Sequence, residues 1–304
     1  MKCMPELPEV ETVKRGLSSS LLGKRLVEVV VRTSKLRYDV PSTIHELVQR
    51  KLVNIRRRAK YLLLDFEGSM VMLSHLGMSG RYTIFSPDEV QRVFPHTTNG
   101  GQLSAFGTTT GYEGKHDHLE FKFEDGSVAV YTDPRRFGFI DVFTLDQEGE
   151  HPRLVQLGPE PFDDWDAKDF ASKIHKSQRS IKLLLLEQSM VVGVGNIYAC
   201  EALHRSGISP RTLGTTLVTQ TGKPTKKLQI LVHEVQDVLK EAIDSGGSTL
   251  NDFSNTDGSL GYFSHQFQVY GREDEPCLKQ GCFGIIERIV QGQRSTFLCP
   301  RCQK

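Results

Sequence analysis

The sequence predicts an α+β protein in three parts: a β-rich half, then a helical half, then a small metal-held module. Short apolar runs fill much of the first 157 positions, and several alternate with period two, which indicates antiparallel sheets packed face to face. Beyond residue 158 the apolar residues recur at helical spacing. Four of the six cysteines lie in the last 28 residues, where such clustering favours a metal site over disulfides.

The β-rich half is predicted to begin with a helix over 8–22, because Val10, Val13, Leu17 and Leu21 share one helix face. Seven strands are predicted to follow it. The stretch 86–115 is rich in Gly, Thr, Asn and Pro and is predicted to be a long loop. The predicted strands are 26–32, 61–66, 70–75, 82–85, 118–123, 128–132 and 137–143.

The helical half follows the proline-containing segment 158–161. A break at 245–248 then opens a polar segment that runs to Tyr262. These changes divide the chain into domains at 1–157, 158–262 and 263–304. The predicted helices are 167–176, 180–188, 196–206 and 226–245.

The overall charge does not indicate the class of partner, since 38 basic and 37 acidic residues give a net charge of +1. A nucleic-acid partner would have to be recognised by a local basic surface. The N-terminus lacks the apolar core of a signal peptide, and no apolar run approaches the length of a membrane span. We therefore expect a cytoplasmic protein without a membrane partner.

The cysteine cluster has the spacing of a zinc-thiolate site. Cys277 and Cys282 are separated by four residues, and Cys299 and Cys302 by two. Predicted strands at 285–290 and 295–298 would form a hairpin that returns both pairs to one point. The alternative is four thiols without a metal. Cys3 and Cys200 stand apart and have no predicted role.

Three further segments permit two interpretations each. The basic run 56–60 is either a solvated face or the start of a strand that aims one amine inward. The segment 133–138 sets two arginines beside Phe137, which suits phosphate contact with a ring entering a base stack, or is a turn between strands. The segment 191–198 either offers backbone N–H groups to an anion at a helix start or simply connects two helices.

A set of motifs in fixed order resembles the formamidopyrimidine-DNA glycosylase family. The first, 5–12, begins Pro5, Glu6, Leu7, and the set spans nearly the whole chain. The resemblance implies a clamp in which a two-sheet β-sandwich is followed by a helix–two-turn–helix domain and a β-hairpin zinc finger. Double-stranded DNA would lie in the cleft, and the protein would be a monomer with one structural Zn²⁺. The other motifs are 57–62, 75–80, 115–118, 131–138, 193–199, 257–263 and the cysteine module.

The resemblance also implies the activity: excision of oxidised purines (8-oxoguanine and formamidopyrimidines) and strand cleavage by β,δ-elimination. Pro5 matches the N-terminal proline nucleophile, which forms a Schiff base with the sugar. Glu6 matches the acidic residue that donates a proton to the sugar, and Lys60 matches the lysine that assists β-elimination. Arg294 matches the arginine of δ-elimination and phosphate contact.

For DNA binding, the resemblance implies that residues of both halves contact the backbone and that others fill the gap left by the extruded base. The segment 255–262 would cover that base, with Glu9 nearby. Lys176 or Arg179 would add one further contact. The backbone contacts are His116, Arg135 and Asn196, and the gap-filling residues are Met78, Arg135 and Phe137.

Departures from the family pattern are the four-residue cysteine spacing, the length of 86–115, and Met1 to Cys3 ahead of Met4. Because an internal proline nitrogen is an amide, we expect the functional protein to begin at Pro5, with Met1 to Cys3 an upstream start-site misassignment.

Two alternative functions remain: an endonuclease VIII-like glycosylase for oxidised pyrimidines and a non-catalytic DNA-binding clamp. Leu7 and the segment 257–262 favour the purine branch. Pro5, Glu6 and Lys60 favour an enzyme.

Overall fold

The computed structural model describes residues 4–93, 114–163, 165–248 and 263–304. Eight strands of the N-terminal half form two antiparallel four-stranded sheets, ordered β1-β6-β7-β5 and β2-β3-β4-β8. The predicted β-sandwich is thereby confirmed. The strands are β1 Leu26–Val31, β2 Leu52–Arg58, β3 Tyr61–Phe66, β4 Met70–His75, β5 Arg81–Phe85, β6 Asp117–Phe123, β7 Val128–Thr132 and β8 Phe139–Thr144.

Helix α1, Leu7–Leu21, joins the two halves of the molecule. Its residues Val10, Val13 and Leu17 pack into the sandwich core, whereas Leu7 belongs to the core of the helical half. Before this helix, the Glu6 N–H donates to the carboxylate of Glu9 at 2.9 Å, which closes a capping box. The chain entering α1 is therefore held where the two cores meet.

The helical half is confirmed at all four predicted helices, each ending one to three residues earlier than predicted. The C-terminal module is a two-stranded antiparallel hairpin. Its residues Phe297 and Cys299 pack into the helical core, so the module rests on this domain. The elements are α3 Ala167–Ile174, α4 Ile181–Leu185, α5 Asn196–Arg205, α6 Lys226–Asp244, β9 Glu287–Gln291 and β10 Arg294–Leu298, with 3-10 helices at Ser42–Leu47, Leu145–Glu150, Gly214–Leu217 and Phe263–Gln266.

The predicted loop 86–115 is wrong in its first part, because Pro87–Val93 forms a helix, α2. Ser86 and Glu89 exchange hydrogen bonds across its first turn: Ser86 N–H donates to the Glu89 carboxylate at 2.8 Å, and Glu89 N–H donates to Ser86 Oγ. This capping box with proline at the first helical position is a helix start. Residues 94–113 of the predicted loop lie outside the described residues.

Among the described residues, no helix combines the length and apolar character needed to cross a bilayer.

Candidate active site and metal centre

The side chain of Glu6 lies at the N-terminus of helix α5 and is 1% exposed. Its carboxylate accepts the backbone N–H of Ile197 at 3.0 Å and that of Tyr198 at 3.5 Å. Burial raises the pKa of Glu6, against the attraction of the Lys60 ammonium, which lowers it. The acidic group at this helix start is thus a side chain of the protein, and the N–H groups of Ile197 and Tyr198 are used for it.

Gly195 makes this approach possible. A Cβ at Gly195 would lie 2.2 Å from the carboxyl carbon of Glu6, so a larger residue would displace the carboxylate. Gly193 has a φ of +80° and packs against Leu7, whose N–H donates to the Gly193 carbonyl at 3.1 Å. The segment 191–198 therefore binds Glu6 and Leu7 at the start of α1.

Lys60 points inward from the turn between β2 and β3 and is 7% exposed. Its Nζ donates to the carbonyl of Val194 at 3.1 Å, in the same segment 191–198 that binds Glu6. Of the two interpretations of 56–60, the structure bears out the inward amine. The three arginines before it are paired with carboxylates: Arg56 with Asp65 and Glu148, Arg57 with Glu11 and Glu160, and Arg58 with Glu160.

A cavity of about 520 Å³ brings Lys60 together with Arg294 of the zinc hairpin. Arg37 and Arg153 line it too, and among the described residues no carboxylate does. Met4, directly before Pro5, also lines this cavity, while Pro5 itself is buried. The cavity is therefore a cationic cleft between the two halves, suited to an anionic ligand.

His75 lines the same cleft and was missed as a site residue by the sequence analysis. Burial, with the nearby Lys60 charge, lowers its pKa to about 4, so the ring is neutral. Its Nδ1 accepts the N–H of Gly77 at 3.1 Å, which leaves the proton on Nε2 as a donor. This histidine belongs to the motif 75–80, of which only Met78 was predicted to contact DNA.

Met78, Arg135 and Phe137 lie on two loops that are packed together. A Cβ at Gly77 would be 2.4 Å from Gly138 N, so the loops touch through glycine backbone. Asp133 joins them as well, since it accepts from Ser79 Oγ at 2.5 Å and from Gly138 N–H at 2.8 Å. The Arg135 guanidinium lies 4.7 Å above the ring of Phe137, which is 42% exposed, and Met78 is half-buried.

Three other predicted DNA contacts have different surroundings. His116 is half-buried, and its carbonyl accepts the N–H of Asp133 at 3.0 Å. Asn196 is only 7% exposed: its amide accepts from Lys182 Nζ at 2.7 Å and donates to the Ser295 carbonyl at 2.8 Å. Arg179 is exposed and pairs with Glu187, and Lys176 is exposed too. Segment 255–262 lies outside the described residues.

The four predicted metal ligands converge at one point. The sulfurs of Cys277, Cys282, Cys299 and Cys302 lie within 4.8 Å of one another. Cys277 and Cys302 are 3.9 Å apart, and Cys282 and Cys299 are 3.6 Å apart, measured between sulfurs. Tetrahedral Zn–S bonds of about 2.3 Å place sulfurs about 3.8 Å apart, so the set fits one zinc ion. The predicted structural zinc site is confirmed.

The zinc hairpin carries Arg294 to the cleft through a tight turn. Gly292 and Gln293 connect β9 to β10 with φ values of +54° and +60°, the two-residue turn that suits strand twist. Lys182, fully buried, donates to Thr296 of the hairpin and to Asn196 of α5. The hairpin is thereby fixed to the helical half, with Arg294 at its end.

Sequence families match each part of this architecture. The formamidopyrimidine-DNA glycosylase N-terminal domain matches residues 4–140, the corresponding H2TH domain matches 157–254, and the zinc finger found in FPG and IleRS matches 274–304. The formamidopyrimidine-DNA glycosylases of Bradyrhizobium sp. (strain ORS 278) and Caulobacter sp. (strain K31) are each 44% identical to this chain, over 99% of it and 100% of their own length.

Solved structures agree in fold. A Lactococcus lactis Fpg in complex with DNA containing an abasic site is 30% identical, has a TM-score of 0.81, and is matched over 98% of this chain and 99% of its own. The wild-type Lactococcus lactis Fpg with DNA containing N7-benzyl-Fapy-dG is 31% identical with a TM-score of 0.82, over 99% and 100%. The fold and the metal centre thus define a zinc-finger DNA glycosylase. The chain belongs to the formamidopyrimidine-DNA glycosylase family.

Proposed function

We propose that this protein excises oxidised purines, 8-oxoguanine and formamidopyrimidines, from double-stranded DNA and then cleaves the strand. The observation that carries the proposal is a cationic cleft, lined by Lys60 and Arg294, in a member of this family. The chain start lies beside it: Met4 lines the cleft, and the buried Glu6 carboxyl is held by the N-terminus of α5, next to Val194, whose carbonyl accepts from Lys60. The Lactococcus lactis relatives, whose structures contain DNA with an abasic site or with N7-benzyl-Fapy-dG, support DNA of this kind as the ligand. We place the reaction at the cytoplasmic nucleoid and retain 1–157, 158–262 and 263–304 as the domains.

In the proposed chemistry, the Pro5 nitrogen attacks C1′ of the damaged nucleotide, and the C1′–base bond breaks with its electron pair going to the base. Proton transfers and opening of the sugar ring leave an iminium between Pro5 and the sugar. The nitrogen must be a secondary amine for this step, because an amide nitrogen shares its lone pair with the carbonyl. Loss of Met4 would free that amine and vacate part of the cleft that Met4 lines.

Glu6 suits the proton-donor role because burial raises its pKa, so its carboxyl holds a proton to higher pH than an exposed one does. The Ile197 and Tyr198 N–H groups fix the carboxyl close to Pro5. They oppose the raised pKa, but burial outweighs them. Protonation at the sugar ring oxygen would open the ring as the imine forms.

Lys60, His75 and Arg294 supply the groups that hold and process the phosphates. His75 presents a neutral Nε2–H donor, and the other two present charged donors to the same space. β-Elimination removes a proton from C2′ of the imine and expels the 3′ phosphate; δ-elimination then expels the 5′ phosphate. Both leaving groups are anions, and donors of this kind stabilise the charge that develops on them.

The Lys60→Ala variant is expected to change strand cleavage while keeping imine formation. The Lys60 amine is placed to assist elimination, whereas the nucleophile is Pro5. Borohydride trapping with a lesion-containing duplex should still give a covalent adduct, and the ratio of nicked product to excised base should fall. Lys51→Ala, at a half-buried lysine directly before β2, serves as the matched control. Loss of the adduct in Lys60→Ala alone would make Lys60 the nucleophile.

The Arg135→Ala variant is expected to weaken DNA binding and to reduce the slope of log K against log salt by roughly one. A local contact is required because the net charge of the chain is only +1. Binding isotherms at several salt concentrations would measure the slope. Lys122→Ala, which removes the same charge from a lysine paired with Glu28, is the control. If the slope of Arg135→Ala equals that of the wild type, Arg135 lies outside the interface.

The lesion assignment is tested by incubating the protein with duplexes that each hold one defined lesion and resolving the products. We expect preferential excision of 8-oxoguanine and formamidopyrimidine. Preference for oxidised pyrimidines would favour the endonuclease VIII-like alternative. Tight binding without excision of any lesion would favour the non-catalytic clamp.

A further inference from the structure

A buried histidine of the helical half contacts the metal centre. His204 lies near the end of α5 and is 1% exposed. Its ring Nε2 lies 3.3 Å from the sulfur of Cys277, and its Nδ1 lies 3.1 Å from the side-chain oxygen of Gln268. The ring therefore spans the junction between α5 and the zinc module.

We propose that His204 is a positioning residue of the metal centre, which donates its Nε2–H to the Cys277 thiolate. Four thiolates around one zinc ion carry excess negative charge, and N–H donors to the sulfurs reduce that excess. Hydrogen bonds of this outer kind orient metal ligands and tune the metal's affinity. Cys277 is 7% exposed, so donors to its sulfur come mainly from the protein: the backbone of Lys279 supplies one, and His204 would supply a second.

This assignment fixes which nitrogen of the ring carries the proton, and it requires the Gln268 amide to present its NH₂ to the other nitrogen. A thiolate only accepts, so the proton of the ring must lie on Nε2, and Nδ1 then becomes an acceptor. Gln268 can satisfy Nδ1 after a half-turn of its amide, which brings its NH₂ to the ring. The backbone of Gln268 is held independently, because its N–H donates to Glu201 of α5 at 2.8 Å.

Solvent comes close to this contact. His204 and Gln268 line a cavity of about 430 Å³ together with Lys279, which lies between the two cysteines of the first pair. A chelator that removes the metal can approach the cysteines through this cavity. We therefore expect the His204 ring to slow metal loss as well as to hold the Cys277 sulfur in place.

The contact also connects the metal centre to the proposed active site through one helix. The first turn of α5 holds the Glu6 carboxylate, and the last turn holds Cys277 through His204. Glu201, between them, accepts the N–H groups of Val269 and Tyr270, which lead into the zinc module. Helix α5 thus contacts both sites.

The test is the rate at which full-length protein loses zinc to a colorimetric chelator. His204→Phe keeps an aromatic ring but removes the donor, and zinc release should be about 10- to 100-fold faster. His204→Gln, which keeps an N–H donor, should recover much of the difference. His233→Phe, at an exposed histidine of α6, is the matched control and should release zinc at the wild-type rate.

A second readout separates a hydrogen bond from simple packing. In the cobalt-substituted protein, loss of a donor to one thiolate should shift the sulfur-to-cobalt charge-transfer band to lower energy in His204→Phe but not in His204→Gln. If His204→Phe does not fold, His204→Met provides another donor-free side chain that fills the space. Unchanged zinc release and an unchanged band in a folded donor-free variant would overturn the proposal.

Discussion

Replacement of Cys299 by serine is expected to remove the zinc and to weaken binding of lesion-containing DNA by about 10- to 100-fold, the value of one charge-assisted contact. Cys299 is fully buried and its sulfur lies 3.6 Å from that of Cys282. A hydroxyl is a poor substitute for a thiolate ligand, and so short a module cannot fold around its own core. Arg294 would then lose its place in the cleft.

The measurements are elemental analysis for zinc and DNA-binding isotherms. Cys200→Ser is the matched control, because Cys200 is buried in α5 and stands apart from the cluster. It should retain stoichiometric zinc. The β-sandwich has a separate core, so its strands should keep their protection from hydrogen exchange in Cys299→Ser. Active protein that contains no zinc would contradict this account of the metal centre.

Protein that retains Met4 ahead of Pro5 is expected to excise no lesion, whereas protein trimmed to Pro5 is expected to be active. The loss should span several orders of magnitude, as removal of a nucleophile does in other enzymes. The cause is electronic, since the Pro5 nitrogen is an amide in the longer chain and a secondary amine in the trimmed one. An α-amino group titrates about two units or more below lysine, so more of it is neutral near pH 7.

The comparison needs two preparations of one protein, distinguished by intact mass. Trimmed Pro5→Gly is a useful control, because an N-terminal glycine keeps a primary amine that can still form an imine. Both preparations should bind a duplex with a stable abasic analogue, although Met4 lines the cleft. Full excision by protein of the longer mass would rule out Pro5 as the nucleophile.

Much of the fold could be predicted from local pattern. The bounds of β3, β4 and β7 match the predicted strands, because their apolar residues are continuous or alternate clearly. Strand β2 was missed, since its apolar residues are confined to its first four positions and three consecutive arginines follow them. In the folded strand the charges of those arginines are paired with carboxylates distant in sequence, such as Glu148 and Glu160. Helix α2 was missed for another reason. Its capping box, Ser86 with Glu89, is visible in the sequence, but the segment was interpreted as a loop from its composition.

The sequence offered candidate residues for the site, but it did not indicate their contacts. The family motifs pointed to Glu6, Lys60 and Arg294. Nothing in their spacing indicated that Glu6 would cap α5 across 191 residues, or that Gly195 leaves room for its carboxylate. The contact of His204 with Cys277 likewise depends on packing between α5 and the zinc module. Such contacts arise from the tertiary fold, which local pattern does not encode.

The central claim is that Pro5 forms the imine, and the direct measurement is to locate the trapped adduct. Protein trimmed to Pro5 would be incubated with an 8-oxoguanine duplex and borohydride, then digested and mapped by mass spectrometry. We expect one adduct, on the peptide that begins with Pro5 and at its nitrogen. An adduct on Lys60, or base release with no adduct at Pro5, would contradict it.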